Sequence, residues 1–394
     1  MNMNIIYPDY KNSIVNLVSS ILEIYDIKTD HPPLKQLDTK VLKKKKNLVL
    51  FVLDGFGINL LNKFTSSTKF MNKNYISPIT SVFPSTTSAA ITSLISGKTP
   101  WEHGAVGWTL YFKEFAKNID YLPNWDSITS KTQDSTKYNV IDYVGADNIF
   151  NKITETNHDV KQYYFTHEEL SECPNVIRNS GSAQIIPYSN NENLFHSLNN
   201  LISKNDSEKK LIFIYSSSPD KLEHHHGVYA YEVENFLKEI DSALETLSSQ
   251  LAGTDTTILI TADHGLIDIN KYYYTNEDDE LFDSMIMPAF PEPRFISFFV
   301  KKHKMMQFEK AFKKYEDKFF LFKRDEFLKH EFLGNGKMHP KIDDFIGDYM
   351  AIAISDSVMK SIYMQNGKWK KEFCAHHAGL TEDEMLVPLI KIEF

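Results

Sequence analysis

The sequence predicts an α/β fold in which a doubly wound, mostly parallel sheet is flanked by helices. Residues 48–53 form a uniformly apolar run without alternation, as expected for a parallel strand that is covered on both faces. Residues 139–145, 211–215 and 256–261 repeat this pattern and are separated by helical stretches. Alternating strands and helices are typical of doubly wound sheets, which bind ligands outside the carboxyl ends of their strands.

Apolar periodicity indicates two of the helices. The first, which we expect to be an accessory element within residues 1–46, has apolar residues at Ile14, Leu17, Val18, Ile21, Leu22 and Tyr25. The second carries a single apolar stripe made of Val233, Phe236, Leu237, Ile240, Leu244, Leu247 and Leu251. It is one of the helical stretches that separate the predicted strands.

Two regions interrupt this alternation, and we interpret the second as an inserted cap subdomain. Residues 101–137 are rich in aromatic and turn residues, whereas residues 266–346 contain an acidic run, then Pro288, Pro291 and Pro293, and then a Lys-rich helix. The predicted catalytic core comprises residues 1–265 and 347–394, which the chain rejoins near 348–355. A length of 394 residues fits one large domain with insertions.

Composition excludes several classes of partner and location. The net charge is -9, so the chain lacks the broad basic surface that binds long nucleic acids through their phosphates. Cys173 and Cys374 are too few for a disulfide framework, which favours a reducing compartment. The sequence shows neither a signal peptide nor an apolar segment of membrane-spanning length. We therefore expect a cytoplasmic protein without a membrane contact, and the sequence indicates no particular oligomeric state.

The chain is organised around residues 79–97, where an apolar run leads to two threonines and an uncharged helix. Thr86 and Thr87 are thereby predicted at a helix N-terminus. The free N–H groups and partial positive charge there suit both an alkoxide nucleophile and a bound phosphate. Threonine is also an ordinary N-cap, so this turn alone does not indicate catalysis. Asp and His residues at metal-ligand spacings elsewhere favour the catalytic interpretation.

Candidate metal ligands occur in three further segments. Asp263 and His264 come just after a predicted strand, so both side chains meet the crevice from one turn. Asp220 and His224 are four residues apart, a spacing that lets a carboxylate and an imidazole reach one ion if the segment coils. His377 lies near the C-terminus. Neighbouring histidines are alternatives by position: His225, His226 and His376.

Together these motifs resemble the alkaline phosphatase superfamily, and within it the nucleotide pyrophosphatase/phosphodiesterase (type I phosphodiesterase) branch. The resemblance is carried by Asp54-Gly, Phe83-Pro-x-x-Thr87 with Gly97 ten residues on, Pro-Asp220 with His224 and Gly227, Thr-Ala-Asp263-His264-Gly, and His377 before Gly-Leu-Thr. These motifs span positions 54 to 388 and leave the first fifty residues and the cap uncovered.

The resemblance implies two divalent metal ions and a threonine nucleophile. One ion would be held by Asp54, Thr87, Asp263 and His264, and the other by Asp220, His224 and His377. The family pattern selects Thr87 over Thr86 as the nucleophile. The chemistry agrees, because threonine is a poor nucleophile until a base or a metal lowers its pKa, and a second ion can stabilise the leaving oxygen. Ligands from Asp and His without Cys favour Zn²⁺, with Mn²⁺ or Fe as alternatives, and we interpret Cys374 as an incidental thiol.

Three residues are candidates for substrate contacts. The resemblance implies an Asn three residues after the nucleophile, where this chain has Ala90, so one expected hydrogen bond to the phosphoryl oxygen is missing. Lys98 or a backbone N–H is a candidate to replace it. Trp108 belongs to an aromatic cluster that could stack on a nucleobase, and packing of the core or cap is the alternative role.

These inferences predict a metal-dependent phosphoric diester hydrolase or nucleotide pyrophosphatase that acts on a small phosphodiester or nucleotide through a covalent phosphothreonine intermediate. The charges of two divalent ions would be balanced by three Asp carboxylates and the Thr87 alkoxide. We therefore expect diesters to be preferred over monoesters, since the flanking segment offers no added cation for a dianion. The alternatives are a phosphomonoesterase or phosphonate hydrolase on the same scaffold, and a non-catalytic metal- or ligand-binding protein.

Overall fold

The computed structural model describes residues 3–134, 137, 139–204, 207–361, 364–365, 368–369 and 372–394. Its centre is a seven-stranded sheet made of β1 (Asn47–Leu53), β2 (Tyr75–Thr80), β3 (Val160–His167), β4 (Gln184–Tyr188), β5 (Lys209–Ser216), β6 (Thr256–Thr261) and β7 (Leu386–Glu393). The order across the sheet is β2-β7-β6-β1-β5-β3-β4. β7 pairs antiparallel with β2 and β6, and the other pairs are parallel. The predicted mostly parallel sheet is confirmed.

Helices flank this sheet, and six of them are labelled α1 to α6. They are α1 (Ile14–Ile24), α2 (Thr87–Ser96), α3 (Ile149–Thr156), α4 (Asn191–Ile202), α5 (Asp220–His226) and α6 (Tyr231–Gln250). Shorter helices span Thr39–Leu42, Ile58–Lys63, Lys69–Lys73, Pro100–His103, Pro174–Ser180 and Glu382–Met385. In the part of the chain that the structure describes, every helix is too short or too polar to cross a bilayer.

Helix α1, which we predicted as an accessory element of the catalytic core, packs into the main hydrophobic core. Of its residues only Glu23 is not buried, so water-facing positions are almost absent. The helix packs against α2, the helix that begins with Thr87. A side chain at Gly97, which ends α2 with a φ of 70°, would come within 3.2 Å of Val18. The N-terminal segment therefore supports the helix that carries the predicted nucleophile.

One predicted strand is wrong, and four strands of the sheet were missed. Residues 139–145 contain a short 3₁₀ helix, Val140–Asp142, followed by a turn. Val140 and Val144 are buried in the core on the cap side, so the apolar run reflects burial without strand pairing. The missed strands are β2, β3, β4 and β7, of which β2 and β4 lie at the two sheet edges.

The cap has a four-stranded antiparallel sheet of its own. It consists of Phe290–Pro291, Phe295–Phe298, Phe319–Lys323 and Tyr349–Ala353. Its helices are Asp279–Ser284, Met305–Phe312, Arg324–Lys329 and Ile342–Phe345. The segment near 348–355 thus pairs within the cap, whereas we predicted that the chain had already returned to the core. The division into 1–265 with 347–394 and 266–346 stays a prediction.

Several short strands lie between the cap and the main sheet. A three-stranded sheet is built from Thr109–Phe112, Lys117–Asp120 and Trp125–Asp126, within the aromatic-rich region that interrupts the predicted alternation. Two-stranded pairs join Lys271–Tyr274 to Ser357–Lys360, Ile267–Asp268 to Ala375–His376, and Met364–Gln365 to Lys368–Trp369.

Candidate functional site

Three aspartates meet at the carboxyl ends of adjacent strands. Strands β6, β1 and β5 are parallel neighbours, so their carboxyl ends share one edge of the sheet. Asp54 follows β1, Asp263 follows β6, and Asp220 begins α5 after β5. The backbone N–H of Asp220 donates to the carbonyl of Asp54 at 2.8 Å. This approach needs Gly55, since a Cβ there would lie 2.8 Å from the Cα of Asp220.

Each of the three carboxylates keeps one buried oxygen without a hydrogen bond from the described residues: Oδ1 of Asp54, Oδ1 of Asp220 and Oδ2 of Asp263. The other oxygen of Asp263 accepts from the N–H of Gly55 at 3.1 Å. The other oxygen of Asp54 accepts from the hydroxyl of Tyr215. Buried carboxylate oxygens without partners are costly, so this arrangement fits a bound cation.

Three histidines direct a ring nitrogen at these oxygens. In each, Nδ1 lies beside a backbone carbonyl: 2.7 Å from Ala375 for His224, 3.2 Å from Ser85 for His377 and 3.3 Å from Gly265 for His264. If Nδ1 carries the proton, Nε2 is left as a lone-pair donor, the usual arrangement of a metal-binding histidine. Nε2 of His264 lies 3.5 Å from both Asp54 and Asp263, and Nε2 of His224 lies 3.3 Å from Asp220.

Two groups of ligand atoms are close enough to hold a metal ion. Asp220, His224 and His377 have ligand atoms within 4.8 Å of one another, and this is the complete set predicted for one ion. The second group joins Asp54 and His264 to Asp220, again within 4.8 Å. Asp263 was predicted in this second set, and its free oxygen lies next to His264. The residues present therefore fit two adjacent divalent ions bound by Asp and His.

The electrostatics of the site also favour cations. Burial and the repulsion of Asp263 and Asp220 raise the pKa of Asp54 well above its ordinary value. Burial likewise raises the pKa of Asp263. Burial opposes ionisation of Asp220 too, but the imidazole of His224 outweighs it and lowers the pKa. Burial and the neighbouring imidazoles hold the pKa of His377 well below its usual range, which keeps the ring neutral for coordination.

The two threonines of the predicted nucleophile turn face different partners. Oγ1 of Thr87, the first residue of α2, lies 3.1 Å from Nε2 of His264. The hydroxyl of Thr86 donates to Glu292 at 2.6 Å and thus faces the cap. Only Thr87 contacts the cluster of carboxylates and imidazoles.

The rival ligands point elsewhere. His225 and His226 are exposed on α5. Nε2 of His376 lies 2.9 Å from the hydroxyl of Tyr272. Cys374 is exposed, with its Sγ 3.3 Å from the carbonyl of His225. The geometry thus brings together the histidines that we predicted and leaves their neighbours outside.

A cavity of about 380 Å³ opens beside the site and lies between the main sheet and the cap. Thr87, Asp220, His224 and His377 line its floor, and Trp108 contributes to its wall. The other two predicted substrate contacts are absent from that lining. Ala90 is buried within α2, and the ammonium of Lys98 pairs with Asp30 and Glu102.

Two residues at the site were missed in the sequence. The hydroxyl of Tyr215 donates to Asp54. Tyr215 is the last residue of a predicted apolar strand, and this position could have indicated that its side chain lies at the site. Glu292 lines the cavity and accepts from Thr86, but it comes from the cap and no motif marks it.

A family model described as type I phosphodiesterase / nucleotide pyrophosphatase matches residues 48–353. The chain belongs to this family. The family assignment confirms the predicted resemblance and indicates an enzyme class that hydrolyses phosphodiester or pyrophosphate bonds. By sequence, no curated protein matched the chain.

Solved structures of family members share the fold. Murine ectonucleotide pyrophosphatase/phosphodiesterase 5, in an inactive threonine-to-alanine form in complex with AMP, is 17% identical with a TM-score of 0.63. Another structure of the murine protein is 18% identical with a TM-score of 0.62, and the human protein is 17% identical with a TM-score of 0.63. Each match covers 88% of this chain and 87% of the other. The predicted alkaline phosphatase-like fold is confirmed.

Proposed function

We propose that this family member is a two-metal phosphoric diester hydrolase or nucleotide pyrophosphatase with Thr87 as its nucleophile. The observation that carries the proposal is the position of Thr87, whose hydroxyl lies 3.1 Å from His264. It stands at the N-terminus of α2 beside three buried carboxylates with unpartnered oxygens. A helix N-terminus favours both the alkoxide and the phosphoryl group that it attacks.

The ligands divide into two sets. Asp54, Thr87, Asp263 and His264 would hold one ion, and Asp220, His224 and His377 the other. When bound, the ions would lower the pKa of the nucleophilic hydroxyl and stabilise the charge of the leaving oxygen. Asp and His ligands favour Zn²⁺, with Mn²⁺ or Fe as alternatives.

The reaction that we propose has two displacements. The deprotonated Oγ1 of Thr87 attacks phosphorus, and the bond to one ester oxygen breaks to release an alcohol. Water then attacks the phosphothreonine, which releases a phosphate monoester and restores the hydroxyl. Tyr215 fixes Asp54 by donating to its second oxygen, and the carbonyl of Gly265 orients the ring of His264.

We infer a small phosphodiester or nucleotide as the substrate, in a cytoplasmic protein. The cavity of about 380 Å³ suits a small molecule, and Trp108 in its wall offers an aromatic face for a base. The AMP complex of the murine relative supports a nucleotide ligand. The cytoplasmic location rests on the low cysteine content, which favours a reducing compartment.

The test compares bis(p-nitrophenyl) phosphate with p-nitrophenyl phosphate after zinc loading. We expect a higher kcat/KM for the diester, and in mass spectra of the enzyme quenched during diester turnover a p-nitrophenyl phosphate group attached to Thr87. A higher kcat/KM for the monoester would favour a phosphomonoesterase. Two bound ions with no turnover of any phosphoester would favour a binding protein.

A further inference from the structure

One carboxyl group of the cavity has no role in the proposed chemistry. Glu292 follows the cap strand Phe290–Pro291, is only 7% exposed and lines the same cavity as Thr87. Its Oε1 accepts two hydrogen bonds at 2.6 Å, from the hydroxyl of Thr86 and from the N–H of Trp108. Its Oε2 accepts no hydrogen bond from the described residues, and this oxygen is not fully buried.

The turn that carries Glu292 is fixed in place. The N–H of Glu292 donates to the carbonyl of Phe295, which closes the turn between two cap strands. Within that turn, Arg294 is fully buried and makes two bonds to Glu384, at 2.6 and 2.8 Å. Such a bidentate pair restricts both of its partners. The turn is therefore held in place, and with it the carboxyl group of Glu292 beside Thr86.

Glu292 lies close to the position of the phosphoryl group. It contacts the residue that directly precedes Thr87 in sequence. It also lines the same cavity as His224, a predicted metal ligand, and as Thr87 itself. A negative charge here repels a phosphoryl dianion more than a monoanion.

Apart from the two proposed ions, the described lining of the cavity offers little to offset that repulsion. Besides Asp220, whose charge a bound ion would offset, the lining contains the carboxylates of Asp120 and Glu292 and a single Lys or Arg side chain, Lys360. The ammonium of Lys360 lies over the ring of Tyr272, 4.9 Å from its centroid. A dianionic phosphoryl group would therefore lie next to a cavity wall that carries carboxylates.

We propose that Glu292 is a specificity-determining residue, whose carboxylate at the nucleophile turn disfavours phosphoryl groups with two negative charges and thereby selects diesters. The inference rests on the proposed function, because it takes the phosphoryl group to bind at Thr87.

The test separates the charge of Glu292 from its hydrogen bonds. Glu292→Gln keeps an oxygen that can accept from Thr86 and Trp108 but removes the charge, whereas Glu292→Ala removes both. Assays are run at pH 8.5, above the pKa of about 7 that burial gives Glu292. We expect Glu292→Gln to lower the diester-to-monoester ratio of kcat/KM by about tenfold, mainly through a faster monoester reaction. Glu292→Ala should slow both substrates, because the turn loses its acceptor.

A binding measurement gives a second readout. Calorimetry with inorganic phosphate should show that zinc-loaded Glu292→Gln binds this anion about tenfold more tightly than the wild type. Asp120→Asn removes a different carboxylate of the same cavity and is the matched control, for which we expect a smaller change. An unchanged ratio and an unchanged phosphate affinity in Glu292→Gln would overturn the role of Glu292, as would an equal effect in Asp120→Asn. Inactivity of the wild type towards both esters would instead count against the proposed function, and the phosphate measurement would still test Glu292.

Discussion

Replacing Glu292 by glutamine should stabilise the metal-free protein at alkaline pH and leave it nearly unchanged in acid. Burial raises the pKa of this carboxyl group from 4.5 to about 7 in the folded chain. Below the pKa of the unfolded chain, the carboxyl group is protonated in both the folded and the unfolded state. Glu292 then has no pH-dependent effect on the free energy of unfolding. As pH rises towards 7, the unfolded chain ionises first and the native state loses stability. One pKa unit corresponds to about 1.4 kcal/mol. Above the folded pKa, the free energy of unfolding is therefore lower by about 3 kcal/mol.

The assay is urea unfolding at about pH 4.5 and pH 8, with metal removed because bound divalent cations would favour the charged carboxylate. Other titrating groups of the site occur in both proteins and cancel in the difference between variant and wild type. Glu155→Gln, at an exposed position of α3, is the control and should give the same small difference at both pH values. A Glu292→Gln difference that does not grow with pH, or that grows towards acid, would refute the reasoning.

Three further predictions concern the metal site and the nucleophile. Thr87→Ala should reduce turnover of bis(p-nitrophenyl) phosphate to background, whereas Thr87→Ser should retain a measurable rate because serine keeps the hydroxyl. An equal loss of turnover in both variants would contradict the assignment of Thr87 as the nucleophile. His377→Ala should reduce bound zinc, measured by elemental analysis, from about two ions towards one per chain, because the ion at Asp220 and His224 then keeps only those two ligands. His376→Ala should leave the zinc content unchanged. Chelation should lower the Tm, because Asp54 and Asp263 again repel each other, and an unaltered Tm would argue against metal bound at these residues.

The site could be predicted where short segments of sequence determine it. An apolar run followed by Asp54 marks the carboxyl end of a buried strand, and parallel pairing brings such ends to one edge. The same reasoning failed for residues 139–145, where Val140 and Val144 are buried against the cap side instead of in the sheet. Apolarity reports burial, and pairing depends on partners that are distant in sequence.

The choice between adjacent histidines depended on such distant partners. On α5 the sequence offers three in a row, and spacing alone favoured His224. In the structure its Nδ1 is engaged by the carbonyl of Ala375, which is 151 residues away. His226 lies near Glu232 at the surface instead. The contact with the carbonyl of Ala375 orients the ring of the predicted ligand, and no local pattern in the sequence reveals it.

Glu292 shows most clearly what the sequence could not provide. It is 206 residues from Thr86, and its local context, an acidic residue between two prolines, is ordinary for a turn. Its position follows from the pairing of two cap strands and from the bidentate contact of Arg294 with Glu384. Because the predicted metal ligands come from the core and this carboxylate comes from the cap, the two can vary independently. We therefore expect the metal chemistry of the site to depend on the core and its discrimination between phosphate esters to depend on the cap turn.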